Sequence, residues 1–241
     1  MQISIIIPAF NEEKLLPTTL GSIHRASAAF HALGWTTELI VCDNNSTDRT
    51  AELARAGGAV VVFEPMNQIA RARNTGARVA TGDWLVFVDA DSAPTPELFA
   101  DVAEQIQSGR CLAGGAVVQL EGHYPVAARV AGFWNLLSRA LRYVAGSFIF
   151  CDARAFRAVG GFNEDLFASE EIHLSRKLKK LARRQGRKIV ILRRHPLLTS
   201  ARKLHLYTPW EHLRFLLRTV LLLGRPLRRR EACGTWYDGR R

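Results

Sequence analysis

The 241-residue chain is poor in cysteine, with four in all: Cys42, Cys111, Cys151 and Cys233. No two stand at metal-ligand or redox spacing, and so few in a chain this long require no disulfide framework. They read as reduced thiols of a cytosolic protein. No uninterrupted apolar run approaches the roughly 18 to 20 residues of a membrane span. Neither a basic n-region nor a cleavage site precedes Ile3-Ser4-Ile5-Ile6-Ile7, so no signal peptide is expected. The chain has no Gly-x-Gly-x-x-Gly and no P-loop, which excludes a dinucleotide or ATP-type phosphate cradle. A bound nucleotide would need a cation and basic side chains for its phosphates. Internal repeats and low-complexity segments are absent too. What remains is an ordinary globular balance, 48% apolar and 23% charged. That balance excludes a disordered chain, a collagen and a disulfide-stapled mini-protein.

Charge is unevenly spread. Residues 1–120 hold 8 Lys and Arg against 13 Asp and Glu, a net of −5, and residues 121–241 hold 25 against 9, a net of +16. Between His173 and Arg230 there are 18 Lys and Arg against one acid, Glu211. A basic half joined to an acidic one suggests a polyanionic partner such as phosphate, nucleic acid or anionic lipid. A solvated basic face explains the charge equally simply.

The first 120 residues alternate apolar runs with helical patterns. Strands are expected at Ile3–Pro8, Glu38–Cys42, Ala59–Phe63 and Trp84–Val88. Helices are expected at Glu13–Phe30 with Asn11 as its cap, from the Asn44–Asp48 cluster to about Ala56, at Gln68–Ala80, and from Pro96 with Thr95 as cap. Strands separated by helices imply crossover units and a mostly parallel sheet. The second half is less regular. Strands are expected at Leu112–Leu120, Ser147–Cys151 and Lys188–Leu192, and helices at Val126–Tyr143, Asp152–Val159, Ser169–Arg184 and Pro209–Leu223. The whole reads as one α/β domain, a mostly parallel sheet flanked by helices. It has a first lobe (about 1–120), a second lobe (about 121–208) and a basic amphipathic C-terminal helix and tail (209–241).

Ligands of open parallel sheets bind beyond the carboxyl ends of the strands. Three strands end in polar clusters, Pro8-Ala9-Phe10-Asn11-Glu12-Glu13, Asp43-Asn44-Asn45-Ser46-Thr47-Asp48 and Asp89-Ala90-Asp91-Ser92. Parallel pairing would open all three on one edge. Asp89 and Asp91 form the sharpest pair, because two aspartates just off a buried strand can aim at one hard cation. Mg²⁺ or Mn²⁺ takes one or two carboxylates and leaves its other positions to water and substrate phosphates. Asp side chains that satisfy a turn's own N–H groups are the alternative.

In order and spacing, Ile5-Ile6-Ile7-Pro8-Ala9-Phe10-Asn11-Glu12-Glu13, Val41–Thr50, Ala70-Arg71-Ala72-Arg73-Asn74-Thr75-Gly76, Gly82–Asp91, Gly160-Gly161-Phe162-Asn163-Glu164 and Ser169-Glu170-Glu171 resemble the family-2 glycosyltransferases over roughly residues 3 to 185. The resemblance implies the Rossmann-like glycosyltransferase A fold, a nucleoside-diphosphate sugar as donor, a Mg²⁺ or Mn²⁺ ion and inversion at the anomeric carbon. Carried over by position, Pro8, Ala9 and Glu12 would line the base and ribose pocket, and Asp43 would accept a hydrogen bond from the base. Gln68 and Arg71 would flank the nucleotide. Asp89 would reach the ribose or a metal-bound water, and Asp91 would hold the cation. The family usually carries Glu-Asp where this chain has Glu170-Glu171. The second acid is the general base in that pattern, which points to Glu171, with Glu170 in reserve. Glu171 lies three residues before Leu174 in the apolar stripe Leu174, Leu178, Leu181, so it is expected to face inward. Ser169 as a cap, with two glutamates complementing the helix dipole, is the plain alternative.

Beyond the resemblance, Arg202 stands among hydroxyls and cations suited to phosphate oxygens and is a candidate diphosphate clamp. The helix from Pro209 combines Trp210 and leucines with arginines. That is a pattern of peripheral contact with an anionic membrane, or of a helix packed on the domain. A lipid-linked acceptor would suit the first. Two other functions stay open on the residues alone. A nucleotidyltransferase would also use paired acids and a metal, but the place after the first strand holds Asn11-Glu12-Glu13 instead of a glycine-rich basic loop. A nucleic-acid binder would use the basic half, but its cations are not interleaved with aromatic platforms, so no nucleic-acid partner is expected.

Overall fold

The structure, a computed structural model, describes residues 1–120, 132, 135, 136, 138, 140–200 and 225–233. Its strands are β1 (Gln2–Ala9), β2 (Thr36–Asp43), β3 (Val60–Phe63), β4 (Trp84–Val88), β5 (Ser92–Ala93), β6 (Cys111–Leu120), β7 (Phe148–Asp152) and β8 (Lys188–Thr199). Its helices are α1 (Leu16–His31), α2 (Thr50–Ala56), α3 (Ile69–Val79), α4 (Pro96–Gln107), α5 (Ala153–Ala158) and α6 (Glu170–Arg184). The strands form one eight-stranded sheet in the order β3-β2-β1-β4-β7-β6-β8-β5. Four of its seven pairings are parallel, and β7 runs against both β4 and β6. The mostly parallel α/β sheet expected from the sequence is therefore present, with an antiparallel strand inserted beside β4.

Strand alternation divides the core. Ile3, Ile5 and Ile7 join Phe30, Val86, Phe99, Phe148 and Phe150 on the face covered by α1 and α4. Ile6 turns the other way and joins Phe87, Ile149, Phe156, Phe162, Leu174 and Leu178 under α5 and α6. Central strands coated on both faces have no polar side to offer, which is why Trp84–Val88 reads as an unbroken apolar run and is buried throughout. Pro8 stands where β1 has parted from β4, whose pairing with it ends at Ile6–Phe87, so its missing N–H costs no ladder bond. All four cysteines are buried. Burial pushes the Cys42 and Cys111 thiols up to about 12, which makes them inert packing groups.

Three local expectations are corrected. Asn11 does not cap α1, which begins at Leu16 without a side-chain cap. Asn11 adopts a left-handed conformation (φ 51°), and its Oδ1 accepts a hydrogen bond from the Thr47 backbone at 2.8 Å. Ser169 likewise sits at φ 63° and makes no capping bond to α6. Strand β8 runs to Thr199, seven residues past the expected end at Leu192. The register explains this, since Ala116 faces Leu192 and Val118 faces Leu197. The intervening Arg193-Arg194-His195-Pro196 bulges from the ladder and hides the strand's continuation from a periodicity reading. Thr95 does cap α4, accepting from the Leu98 N–H. The helix expected at Pro209–Leu223, and most of that at Val126–Tyr143, lie outside the described residues. Among the described residues, no helix is long and apolar enough to cross a membrane.

Candidate active site

Because β1, β2 and β4 are mutually parallel, Ala9, Asp43 and Val88 end on one rim of the sheet. Antiparallel β7 starts there, its Phe148 opposite Val88. That brings the turn before it, Gly146-Ser147, to the same rim, where Ser147 O accepts from the Asp89 N–H at 3.2 Å.

At the β1–β2 end the loops are stitched together. Asp43 Oδ1 accepts from the Ser46 N–H at 2.9 Å, and Ala9 O accepts from the Asn44 N–H at 2.8 Å. The Glu12 backbone donates to Thr50 Oγ1 at 2.8 Å. A cavity of about 490 Å³ opens here, lined by Phe10, Asn11, Asn45, Met66, Phe167 and Arg230 among others. Its wall is made by the neighbours of Pro8, Ala9, Glu12 and Asp43 rather than by those residues, all four of which are buried. Two phenyl rings beside amide groups suit a flat heteroaromatic ring.

Further along, the start of α3 tethers the loop after Gly160-Gly161. Gln68 Nε2 donates to Glu164 O at 2.7 Å and to Leu166 O at 2.9 Å. Arg71 bridges Glu64 at 3.2 Å and Glu164 at 2.9 Å. Against the burial that raises it, hydrogen bonds from Thr75, Met66 and Arg71 hold Glu64 below the ordinary carboxylate value. Asn74 accepts from the Phe162 N–H and donates to Phe162 O, both at 3.0 Å. Gly161 lies at φ 62°, and a Cβ there would stand 2.6 Å from Asn74 Oδ1, the atom that receives the Phe162 N–H. Gly161→Ala is therefore expected to cost about 1–3 kcal/mol through left-handed strain, seen as a fall in Tm of about 2–4 °C per kcal/mol. An unchanged melt would show that this loop is not held as described.

The centre of the rim is Arg73, 1% exposed. It projects from the face of α3 that also carries Ala70, Gly76 and Ala77. Its Nη2 reaches Asp89 Oδ1 at 2.9 Å and Gly146 O at 2.7 Å, and its Nη1 reaches Glu170 Oε1 at 2.6 Å. The Phe162 ring lies 5.3 Å from the guanidinium. The inward stripe of α6 is Glu170, Leu174, Leu178 and Ala182, with Ser175 beside it. Spacings of four thus carry Glu170, not Glu171, deepest. Glu171 is half-buried and packs over Gly146, where a Cβ would lie 3.7 Å from its carboxyl carbon. Burial first, and then the charge of Glu170, push the Glu171 carboxyl up to about 8. That places it where it can exchange a proton near neutral pH.

The structure thus brings Asp89 and Glu170 onto one arginine with Glu171 alongside. It places Pro8, Ala9 and Asp43 on paired strand ends and turns Gln68 and Arg71 toward residues 164–166. Asp91, half-buried, accepts through its backbone from the Ser200 N–H at 3.0 Å. Arg202 lies outside the described residues. Sequence reading gave no role to Arg73, although a signal was there: an arginine at a small-residue, inward-facing helix position needs carboxylate partners.

The glycosyl transferase family 2 model matches residues 4–158, more than half of the chain. The protein belongs to this family. An uncharacterised glycosyltransferase of Mycobacterium bovis is 33% identical over 141 residues, covering 57% of this chain and 60% of the relative. The undecaprenyl-phosphate 4-deoxy-4-formamido-L-arabinose transferase of Pseudomonas paraeruginosa is 33% identical over 124 residues, covering 46% and 34%. The chain thus spans 60% or less of the length of these curated relatives. Among solved structures, residues 1–349 of TarS from S. aureus match with a TM-score of 0.62 at 18% identity, over 90% of this chain and 64% of that one. Glucosyl-3-phosphoglycerate synthase of Mycobacterium tuberculosis, in complex with Mn²⁺, UDP and glucosyl-3-phosphoglycerate, matches with a TM-score of 0.62 at 22% identity, over 91% and 77%. The fold is the glycosyltransferase A fold that the sequence motifs implied.

Proposed function

We propose that this chain transfers a sugar, with inversion, from a nucleoside diphosphate to an acceptor hydroxyl, using a Mg²⁺ or Mn²⁺ ion. The observation that carries the reading is the gathering of Asp89, Glu170 and Glu171 around Arg73 at the rim where the three parallel strands end. The base lies at the β1–β2 end, where Pro8, Ala9, Glu12 and Asp43 shape the loops. Gln68 and Arg71 hold the wall beside it. Glu171 takes the proton of the acceptor hydroxyl. As that oxygen bonds to the anomeric carbon, the bond to the diphosphate breaks and its electron pair leaves with the nucleoside diphosphate.

Among the described residues, no three His, Cys, Asp or Glu side chains form a cluster able to hold a metal by themselves. The donor set nevertheless fits a hard cation that takes one or two carboxylates and the substrate's own phosphates. Asp91 is the principal ligand proposed, and Asp89, one of whose oxygens Arg73 holds, the secondary one. Bound there, the cation would neutralise charge on the diphosphate. Arg202 is proposed to approach the same phosphates. The Pseudomonas relative carries undecaprenyl phosphate in its name, which supports a lipid-linked acceptor here and a chain that works at the inner face of a membrane.

A thermal-shift series tests the reading. Nucleoside diphosphates and their sugars are added with and without Mn²⁺. A ligand at a hundred times its Kd adds about 2.7 kcal/mol, which raises Tm by roughly 5–10 °C in a chain of this size. Asp91→Ala is expected to remove the Mn²⁺-dependent part of that rise. No shift with any nucleoside diphosphate would overturn the proposal.

A further inference from the structure

Two identical acids open α6 side by side, and only one can serve as the base. We infer that Arg73 is the positioning residue that separates their roles: it locks Glu170 and Asp89 into one buried ion cluster, docks the first turn of α6 on the loop after β4, and so commits Glu171 to the proton transfer. This rests on the glycosyl-transfer reading above and goes beyond it.

The geometry leaves Glu170 little freedom. It is 4% exposed and bound at 2.6 Å to a guanidinium that is itself 1% exposed. A carboxylate buried and held this way cannot approach an acceptor. Arg73 can hold it only because a planar fork offers several donors at fixed angles. One arm takes Glu170, and the other takes both Asp89 and the Gly146 carbonyl. The Phe162 ring, set by the Gly160-Gly161 turn, fixes the plane of the fork. Four segments distant in sequence therefore meet on one side chain: α3, the loop after β4, the turn before β7 and the first turn of α6. Glu171 follows Glu170 directly, and its position is inherited from that anchor. It lies over Gly146, whose carbonyl Arg73 also holds. The charged groups that face it are Glu170 on its own helix, Arg73 on α3 and Asp89 beyond β4.

The test is a carboxyl ¹³C NMR titration of Glu171 in the wild type, Glu170→Gln and Arg73→Gln, each checked for folding by circular dichroism. It needs neither donor nor acceptor. The Glu171 midpoint is expected to fall by about one unit in Glu170→Gln and to rise by about one unit in Arg73→Gln. Loosened packing alone would not give opposite shifts. Arg73→Lys keeps the charge without the fork and serves if Arg73→Gln does not fold. Its Glu171 midpoint should stay near that of the wild type, while kcat for release of nucleoside diphosphate falls about 10²-fold from misplacement of the base. Identical titrations in all variants, full kcat in Arg73→Lys, or transfer abolished at every pH by Glu170→Gln but not by Glu171→Gln would each overturn the inference. If the titrations shift as expected but no nucleotide sugar is turned over, the clamp stands and the glycosyl-transfer reading falls.

Discussion

Glu171→Gln is expected to lower kcat by about 10²- to 10⁴-fold, the usual worth of a positioned general base, and to make the protein more heat-stable at alkaline pH. Both effects come from one cause. Burial and the neighbouring charge of Glu170 push the Glu171 carboxyl from 4.5 up to about 8. Between those values the folded chain holds a proton that the unfolded chain has released. Stability is therefore greatest below about pH 4.5 as far as this group is concerned, and it drains away as pH rises through 8. Glutamine keeps the shape and never ionises, so the variant escapes that loss. Melting curves at pH 5, 7 and 9 should show the gap between variant and wild type widening with pH, in the variant's favour. Sites whose activity requires an unfavourable charge often trade stability for function in this way. A variant that retains wild-type kcat, or a gap that stays flat with pH, would remove Glu171 from the role of base.

Much of this fold was legible in the sequence because its signals are local. Trp84–Val88 is apolar at every position and bounded by polar residues, so its limits could be read directly. Thr95-Pro96 announced the start of α4 by capping chemistry alone. What was not legible depends on distant pairing. Nothing in Phe148–Asp152 says that it runs antiparallel to β4, yet that direction delivers Gly146 to the rim beneath Glu171. Asn11 and Ser169 are both good caps by residue type, but both are drawn into left-handed turns by the loops they join. The site shows the same division. The motifs named Asp89, Asp91, Glu170 and Glu171 from their place after strands and at a helix start. The apolar stripe of α6 pointed Glu171 inward, three residues before Leu174, and yet Glu170, four residues before it, lies deepest, because either spacing fits the stripe until the partner of Glu170 is known. That partner, Arg73, is 97 residues away in sequence. The engagement of Gln68 and Arg71 with residues 164–166, which follow a turn about 90 residues later, is equally invisible in the local sequence.

Gly114→Ala is expected to be strongly destabilising. Strand β6 lies between β7 and β8, and Gly114 pairs with Phe150 on one side and Val190 on the other. A Cβ at this position would meet Phe150 Cζ at 2.4 Å and the Val190 carbonyl oxygen at 2.5 Å. The phenyl ring is walled in by Trp84 and Phe148 and is fully buried, so it has nowhere to swing. The carbonyl belongs to backbone held by the β6–β8 ladder. Relief therefore requires the strands to separate rather than a side chain to rotate. Overpacking of a core usually costs about 1–3 kcal/mol when side chains can adjust, and the backbone overlap places this substitution at or above the top of that range. For a chain of this size, 3 kcal/mol corresponds to a Tm lowered by roughly 6–12 °C. The functional consequence follows from β7, which pairs with both β6 and β4 and carries the Gly146 turn under Glu171. Spreading β6 from β7 shifts that turn, so kcat should fall in the surviving folded fraction, as read by active-site titration against total folded protein. A melt within 2 °C of the wild type, which is less than about 1 kcal/mol in a chain of this length, would mean that the three strands do not approach as closely as described.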